Sequence, residues 1–541
     1  MATPLSWNGG TIGGGDMNDQ NPSATPCVNP ATGEVFARSP LHSLEDLRAA
    51  MEAARQAQPG WAALPPKERA RRVLPIRDRL VSRADELARV LARDNGKTLT
   101  DALATEILPA AISVTYYARM APRFLRPRRT GTATWLLANK RSVVQRVPWG
   151  VVGIISPWNY PFGIPFHEVV MALLAGNAVL LKTASETQAV GVALAEVIGA
   201  ADLPKGLFSF LNLPGRVAGP AFLETGVDKL FFTGSVPVGK ALMAKAAETL
   251  TPLSLELGGN DPMLVCEDAD VDRAAAGAVW AGMQNAGQSC GGVERIYVHE
   301  KVYSAFLQAL KARVEALRVG PGEGFENDMG AMTTAKQLET VREHVRDALA
   351  KGAVLHAQSS APEGGPGLFH PAVVLAEVNH DMVTMREETF GPVVGVMKVK
   401  DMEEAVALAN DSNLGLTASV WSRNRKRAKT LASRLHAGAV TINDHLMSHG
   451  LPETPWGGFK QSSLGRTHGQ IGFDEMTQPR VVVDDLLGFA ARDLWWHPHG
   501  REVYEGLKGL VLGLYARSFG TRLGGWLKAL RILPRMFRRS G

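Results

Sequence analysis

Apolar residues recur every three to four positions over 43–59 and 67–93, within stretches rich in Ala, Leu and Arg. This spacing predicts two amphipathic helices, and a third is expected over 99–121. Residues 28–34 (ValAsnProAlaThrGlyGlu) read as a turn leading into a strand-like ValPheAla. The run LysArgSerValValGlnArgValPro (140–148) alternates and is β-branched, the pattern of a strand with an exposed face. From there the pattern changes. Short apolar runs at 151–156, 178–182, 207–211 and 229–233 alternate with helical stretches at 162–175, 186–200 and 236–249. Such alternation predicts an α/β fold with a parallel sheet and helices on both faces. A second α/β unit is expected to place strands at 263–266, 295–298, 393–399 and 418–421, and the late run 479–484 to pair with 140–148 as an arm. No internal repeat is visible.

The length of 541 residues implies two to four domains. Three widely spaced cysteines, Cys27, Cys266 and Cys290, supply neither a disulfide framework nor a metal-ligand cluster, and suit a reducing compartment. No metal site is expected. The Gly-, Asn- and Pro-rich residues 1–25 read as a disordered N-terminus without the charged and apolar regions of a signal peptide. Net charge is +6, but residues 500–541 hold nine Lys/Arg against two acids, so the first 499 residues carry about −1. The basic balance belongs to the tail.

Candidate chemistry centres on PheThrGlySerValProValGly, LeuSerLeuGluLeuGlyGly and GlyGlnSerCysGlyGly. Cys290 lies among small and polar neighbours that let a carbonyl approach a sulfur nucleophile. Most lone cysteines are buried and inert, and Cys266, in an apolar strand, fits that description. Glu256 ends an apolar strand, where desolvation would raise its pKa and suit it to general-base work; a solvent-facing strand end is the plainer alternative. Asn159 in ProTrpAsnTyrPro is either a turn residue or an amide donor to an oxyanion, with the Cys290 N–H as the second donor. Gly234 and Gly239 bound a strand-to-helix turn where a helix N-terminus can meet phosphate, although this is not the GxGxxG fingerprint. Lys182 ends a strand and could reach cofactor hydroxyls or phosphate. Glu388 and Phe390 stand two apart, on one face if extended, where one could hold a ribose and the other a flat ring. Asn159, Lys182 and Gly234 all fall at carboxyl ends of strands, where ligands of such sheets bind.

With GluXaaPheGlyPro and ProTrpGlyGlyPheLys added, and in this order, the set resembles the aldehyde dehydrogenase superfamily from about Asn29 to Asp485. The resemblance implies two doubly wound parallel-sheet domains and a β-arm for oligomerisation into a dimer or tetramer. A dinucleotide-binding domain is expected over 26–139 and 149–255, a catalytic cysteine domain over 256–445, the arm over 140–148 and 478–485, and a return segment with a substrate or anchor loop over 446–477. By motif position Cys290 would be the nucleophile, Glu256 the general base and Asn159 the oxyanion donor. Ser156, Trp158, Lys182, Ser185, Gly234, Ser235, Gly239, Leu257, Gly258, Glu388 and Phe390 would hold NAD or NADP. The implied reaction oxidises a lipophilic or broad-range aldehyde to an acid through a cysteine thiohemiacetal and a thioester. Two rivals are release of the acyl group to coenzyme A, against which Glu256 speaks, and a membrane-bound scaffold without turnover.

Three positions depart from the family pattern. Ser185 stands where a glutamate would clasp the adenosine ribose, which should admit the 2′-phosphate of NADP. Thr467 replaces a frequent glutamate after GlyArg, and His167 and Glu168 fall where many members place a lysine.

Residues 486–541 form a basic extension. AspLeuTrpTrpHisPro (493–498) resembles, more loosely, a membrane-associated plant and yeast branch of the family. LeuLysGlyLeuValLeuGlyLeuTyrAla is too short to span a bilayer. Phe519, Leu523, Trp526, Leu530, Leu533 and Phe537 recur with arginines between, the pattern of a basic amphipathic helix on an anionic surface. A helix pair packed on protein is the alternative, and Gly520, Gly524, Gly525 and Pro534 would weaken an isolated helix. The expected location is cytoplasmic, possible contact being with the cytoplasmic membrane face, and no nucleic-acid partner is expected.

Overall fold

The helical front of the chain is cut into shorter pieces than its periodicity predicts. In the computed structural model, which describes residues 23–538, the first helix runs Leu44–Ala63 and starts at a capping box between Ser43 and Asp46. The single helix expected over 67–93 is three: Pro66–Val73, Pro75–Ser82 and Ala84–Asn95. Pro75 has no N–H to continue the preceding helix, so it opens a new one. The helix expected over 99–121 begins as Leu99–Ala102, widens into a π turn at Leu103–Ile107 and continues as Leu108–Phe124. Most of the N-terminal segment expected to be disordered lies outside the described residues. Ala24 and Thr25, included in that expectation, already belong to the strand Ala24–Val28, which pairs antiparallel with Val35–Pro40 across the 28–34 turn.

The first sheet has the spatial order Ser463–Leu464, Leu253–Glu256, Lys229–Thr233, Val151–Ile155, Ala178–Lys182, Phe208–Phe210. All neighbours are parallel except Ser463–Leu464, which runs antiparallel to Leu253–Glu256. Chain order reverses between Val151–Ile155 and Lys229–Thr233, and the crevice beyond their carboxyl ends is the ligand position of a doubly wound sheet. The second sheet runs Val354–Gln358, Val373–Ala376, Val393–Val399, Val293–His299, Asp261–Val265, Thr417–Trp421, Ala439–Ile442, and Val354–Gln358 is its antiparallel edge. Each sheet is thus parallel with one antiparallel edge strand, a refinement of the all-parallel expectation.

Two apolar cores result, one drawing on residues from Cys27 to Leu257, the other from Met263 to Ala437. Phe473 and Met476 of the return segment pack into the first core, and Ser463–Leu464 joins its sheet.

The chain divides into two compact units, Met1–Leu125 with Val147–Gln478, and Arg126–Arg146 with Pro479–Gly541. The second unit holds a three-stranded sheet in the order Thr477–Asp485, Lys140–Pro148, Arg128–Thr130. Residues 126–139, which the sequence reading gave to the dinucleotide domain, therefore belong with the arm: Arg128–Thr130 extends its sheet. The tail belongs there too. Helices Arg501–Tyr515 and Phe519–Ile532 form a hairpin whose core of Leu510, Ala529, Ile532 and Met536 is joined by Leu136 and Leu487. A Cβ on Gly509 would lie 2.5 Å from the Gly525 carbonyl, and one on Gly513 2.8 Å from the Trp526 ring. These glycines set how closely the two helices approach. Of the apolar positions expected on one helix face, Trp526 is half-buried in the hairpin, whereas Phe519, Leu523, Leu530, Leu533 and Phe537 are exposed. Among the described residues no helix is long and apolar enough to cross a membrane.

Candidate active site

Two buried residues outside the sequence motifs hold the stretch that carries Asn159. Lys97 and Glu106 form a fully buried ion pair of 2.5 Å. Glu106 Oε2 accepts the N–H groups of Phe162 (2.8 Å) and Gly163 (2.9 Å) at the start of the Gly163–Ala175 helix, where a carboxylate is favoured. Lys97 Nζ donates to the Asn159 carbonyl at 3.0 Å. The π turn at Leu103–Ile107 carries Glu106 to this position, so the stretch holding Asn159 is fixed from both sides.

The Cys290 loop is fixed just as closely. Asn285 and Ala286 have φ of 52° and 53°, and Gly287 follows at 69°. This left-handed run turns the chain out of the Val271–Met283 helix. Asn285 Nδ2 donates to the Asn159 carbonyl at 2.8 Å, and Asn159 Nδ2 donates to the Gln288 carbonyl at 3.1 Å. Asn159 thus stands beside the loop two residues before the thiol, its second amide hydrogen uncommitted among the described residues. On the opposite side, a Cβ on Gly259 would lie 2.1 Å from the Cys290 carbonyl oxygen, so only glycine fits there.

Cys290 is half-buried, whereas Cys27 and Cys266 are buried. Burial pushes the Cys27 and Cys266 thiols up to about 12, as befits inert core cysteines. Burial also raises the Cys290 thiol, reinforced by Glu388, Asp261 and Glu256. Glu256 ends the Leu253–Glu256 strand and is buried; its Oε2 accepts from Ser463 Oγ at 2.9 Å, and its Oε1 has no partner among the described residues. Burial drives its pKa well above the carboxylate range, with Glu168 and Glu475 adding to the effect.

Cys290 and Glu256 share a pocket of about 960 Å³ of atom-free space. Ile164, Trp280, Leu416, Leu446, Met447 and Trp456 are among its apolar walls, and among the described residues no Lys or Arg lines it. Glu168, His167, His449 and His468 also line it. Burial lifts Glu168 to about 8.

The expected cofactor residues gather at the carboxyl edge of the first sheet. Ser156 and Lys182 follow or end neighbouring strands, and Ser156 N–H donates to the Lys182 carbonyl at 3.0 Å. Burial lowers the Lys182 pKa, and its ammonium has no ion pair among the described residues. Ser156 Oγ is buried without a partner. Ser235 is the N-cap of the Val236–Ala246 helix but its side chain makes no capping bond, leaving the first-turn N–H groups open toward an anion. A Cβ on Gly239 would lie 2.7 Å from the Leu257 side chain, which would have to shift to admit it. Gly234 N–H donates to the Glu256 carbonyl at 3.0 Å, joining cofactor turn and base. Ser185 opens a short 3₁₀ turn and is half-buried. An open helix terminus, a buried free ammonium and an orphan hydroxyl fit a dinucleotide. Glu388 Oε1 accepts from Gly259 N–H at 2.8 Å, and a Cβ on Gly258 would meet Glu388 Oε2 at 2.5 Å. Phe390 meets Trp158 edge to face at 5.5 Å. The alternation argument for Glu388 and Phe390 fails, because Phe390 is left-handed (φ 52°) and the segment is not a strand.

The model of the aldehyde dehydrogenase family matches residues 17–482. The chain belongs to this family. A 4,4'-diapolycopene aldehyde oxidase of Methylomonas sp is 38% identical over 491 residues, 91% of this chain and 91% of that protein. Among solved aldehyde dehydrogenase folds, a succinate-semialdehyde dehydrogenase from Burkholderia pseudomallei is 36% identical, covers 85% of this chain and 94% of its own, and superposes with a TM-score of 0.81. PnpE in complex with nicotinamide adenine dinucleotide is 30% identical, with coverage of 86% and 94% and a TM-score of 0.81. The aldehyde dehydrogenase motifs lead to Cys290, Glu256 and Asn159. They do not lead to Lys97 or Glu106, which reach residues 159–163 from another segment, nor to His449 or His468, which meet His167.

Proposed function

We propose that this chain oxidises a long, apolar aldehyde to its carboxylic acid with NAD or NADP, as an oligomer seated on an anionic membrane surface. The observation that carries the substrate class is the pocket around Cys290. Its walls are apolar, it holds the acids Glu256 and Glu168, and among the described residues it lacks Lys and Arg. A substrate with a second carboxylate, such as succinate semialdehyde, would enter a site that repels it; a hydrocarbon chain would be desolvated favourably. The long apolar aldehyde implied by the Methylomonas relative's name agrees with this reading.

The nicotinamide ring of the bound dinucleotide, held by Lys182, Gly234, Ser235 and their neighbours, supplies a hydride acceptor. The chain's own residues do the rest. Cys290 gives its thiol proton to solvent as Sγ bonds to the carbonyl carbon; the C=O π pair moves onto oxygen, which the Asn159 amide and Cys290 N–H hold. Once the carbon is at the acyl level, a thioester links it to Cys290. Glu256 takes a proton from water as the water oxygen bonds to the acyl carbon; the C–S bond breaks and the acid leaves. A desolvated Glu256 beside the thiol supports water over coenzyme A as the acceptor. Ser185 supports acceptance of NADP beside NAD.

Reduced-cofactor absorbance tests the proposal, with alkyl and polyene aldehydes of rising chain length beside succinate semialdehyde. Expected is kcat/KM that rises with chain length and exceeds the semialdehyde value by about tenfold or more, about 1.4 kcal/mol of transition-state binding. Preference for the semialdehyde would overturn the substrate class, and loss of no activity in Cys290→Ala would overturn the chemistry.

A further inference from the structure

His167, His449 and His468 come together in the wall of the aldehyde pocket although His167 and His468 are 301 residues apart in sequence. One ring nitrogen from each lies within 4.8 Å of the others. His167 comes from the Gly163–Ala175 helix, His449 from the Met447–Gly450 turn, and His468 from the residue preceding the Gly469–Glu475 helix. We propose that these three histidines form a binding site for a divalent transition-metal cation of the zinc class, built into the substrate channel.

Three features carry this. The ligand set is three imidazoles, a donor type that zinc-class ions favour and that leaves a fourth position for water or another oxygen. The geometry is close to that needed. His167 Nδ1 and His468 Nε2 are 2.9 Å apart, a contact made by one shared proton. Two nitrogens on one zinc-class ion at about 2.0–2.1 Å stand roughly 3.3 Å apart in a tetrahedron, so this pair needs to part by a few tenths of an ångström and its rings to turn toward a shared ion. His449 must close in from within 4.8 Å by rotating out of its near-parallel (14°) arrangement with the His167 ring. Finally, the His167 and His468 rings are both buried, and beyond their contact with each other neither has a hydrogen-bond partner among the described residues, so no protein group competes for the nitrogens that face each other. A cluster of neutral histidines bridged by hydrogen bonds is the rival outcome.

The test is Co2+ titration of the full-length protein, followed by visible ligand-field absorption and by metal content after gel filtration, with Zn2+ as competitor. Cys290→Ala is run in parallel, since a thiol also binds these ions. Expected is one Co2+ per chain, displaced by Zn2+ and retained in Cys290→Ala. His449→Ala should weaken binding by at least about tenfold, the scale at which loss of even an outer partner is felt. His449 is the least buried of the three; His449→Gln, which keeps a polar side chain, serves as the second variant, and thermal unfolding verifies that both are folded. Absence of stoichiometric Co2+, loss of binding in Cys290→Ala, or unchanged binding in both folded His449 variants would overturn the proposal. This readout is independent of substrate and of turnover.

Discussion

Glu256 shows how a single carboxyl can be placed for timed use. Its strand is apolar, one oxygen is held by Ser463, the other is unpaired, and burial favours the protonated form. The base form therefore grows as pH rises, and turnover limited by hydrolysis of the acyl enzyme should climb with pH well beyond the ordinary carboxylate range. Glu256→Gln should lower steady-state kcat by about 10²–10⁴-fold. It should keep a first-turnover burst of reduced cofactor, and a loss of both burst and steady state would argue against a role confined to hydrolysis. Asp94, away from the site, reports on stability. Burial lifts it to about 7 while its Oδ2 accepts from Val190 N–H at 2.9 Å. Its folded pKa lies above its unfolded value, so its contribution is complete at low pH and is lost as pH rises through about 7. Between about pH 4 and 7 the melting temperature should fall less in Asp94→Asn than in the parent, as thermal scans would record. At this scale the sequence was legible where chemistry sits inside a local motif. Cys290 and Glu256 stand out by their neighbours, whereas the contacts of the Lys97–Glu106 pair with residues 159–163 and the histidine cluster depend on separate parts of the chain meeting.

Elements were legible in type and less so in extent. The strands of both sheets fall close to their apolar runs, because a buried parallel strand needs a continuous apolar stretch. Helix lengths were overestimated where proline interrupts a periodic pattern, as at Pro75, and the π turn before Leu108 has no periodic signature. The antiparallel edge strands were missed, being short or exposed rather than apolar, and so were the four-residue parallel strands Val373–Ala376 and Ala439–Ile442, too short to stand out as runs. Close packing makes one further element testable. With 2.1 Å between the Cys290 carbonyl and a Cβ on residue 259, Gly259→Ala must displace backbone on both sides. A loss of about 1–3 kcal/mol is expected in denaturant titration, together with loss of turnover. An unchanged midpoint would mean that the loop yields freely.

At the scale of the molecule, charge and exposed apolar surface coincide in the tail. Phe519, Leu523, Leu527 and Leu530 are exposed on one helix of the hairpin, and Tyr504, Val511 and Tyr515 on the other, amid the basic residues counted from the sequence. Sedimentation with anionic vesicles should bring down the full chain, more weakly as salt is raised, because screening reduces the attraction of basic residues. Replacing Leu523 and Leu530 by Ser should lower the bound fraction several-fold while far-ultraviolet circular dichroism stays the same. Equal binding to neutral vesicles would remove the electrostatic part of the proposal. The hairpin was only half legible, since the apolar repeat suggested the helix but not which face closes on its neighbour. Its glycines have a wider consequence. Closure depends on small residues and a few inward side chains, so the large outward residues are not required to hold the two helices together. Fold and surface chemistry can then change independently, and descendants of this chain could retune which surface they settle on without rebuilding the module that carries it.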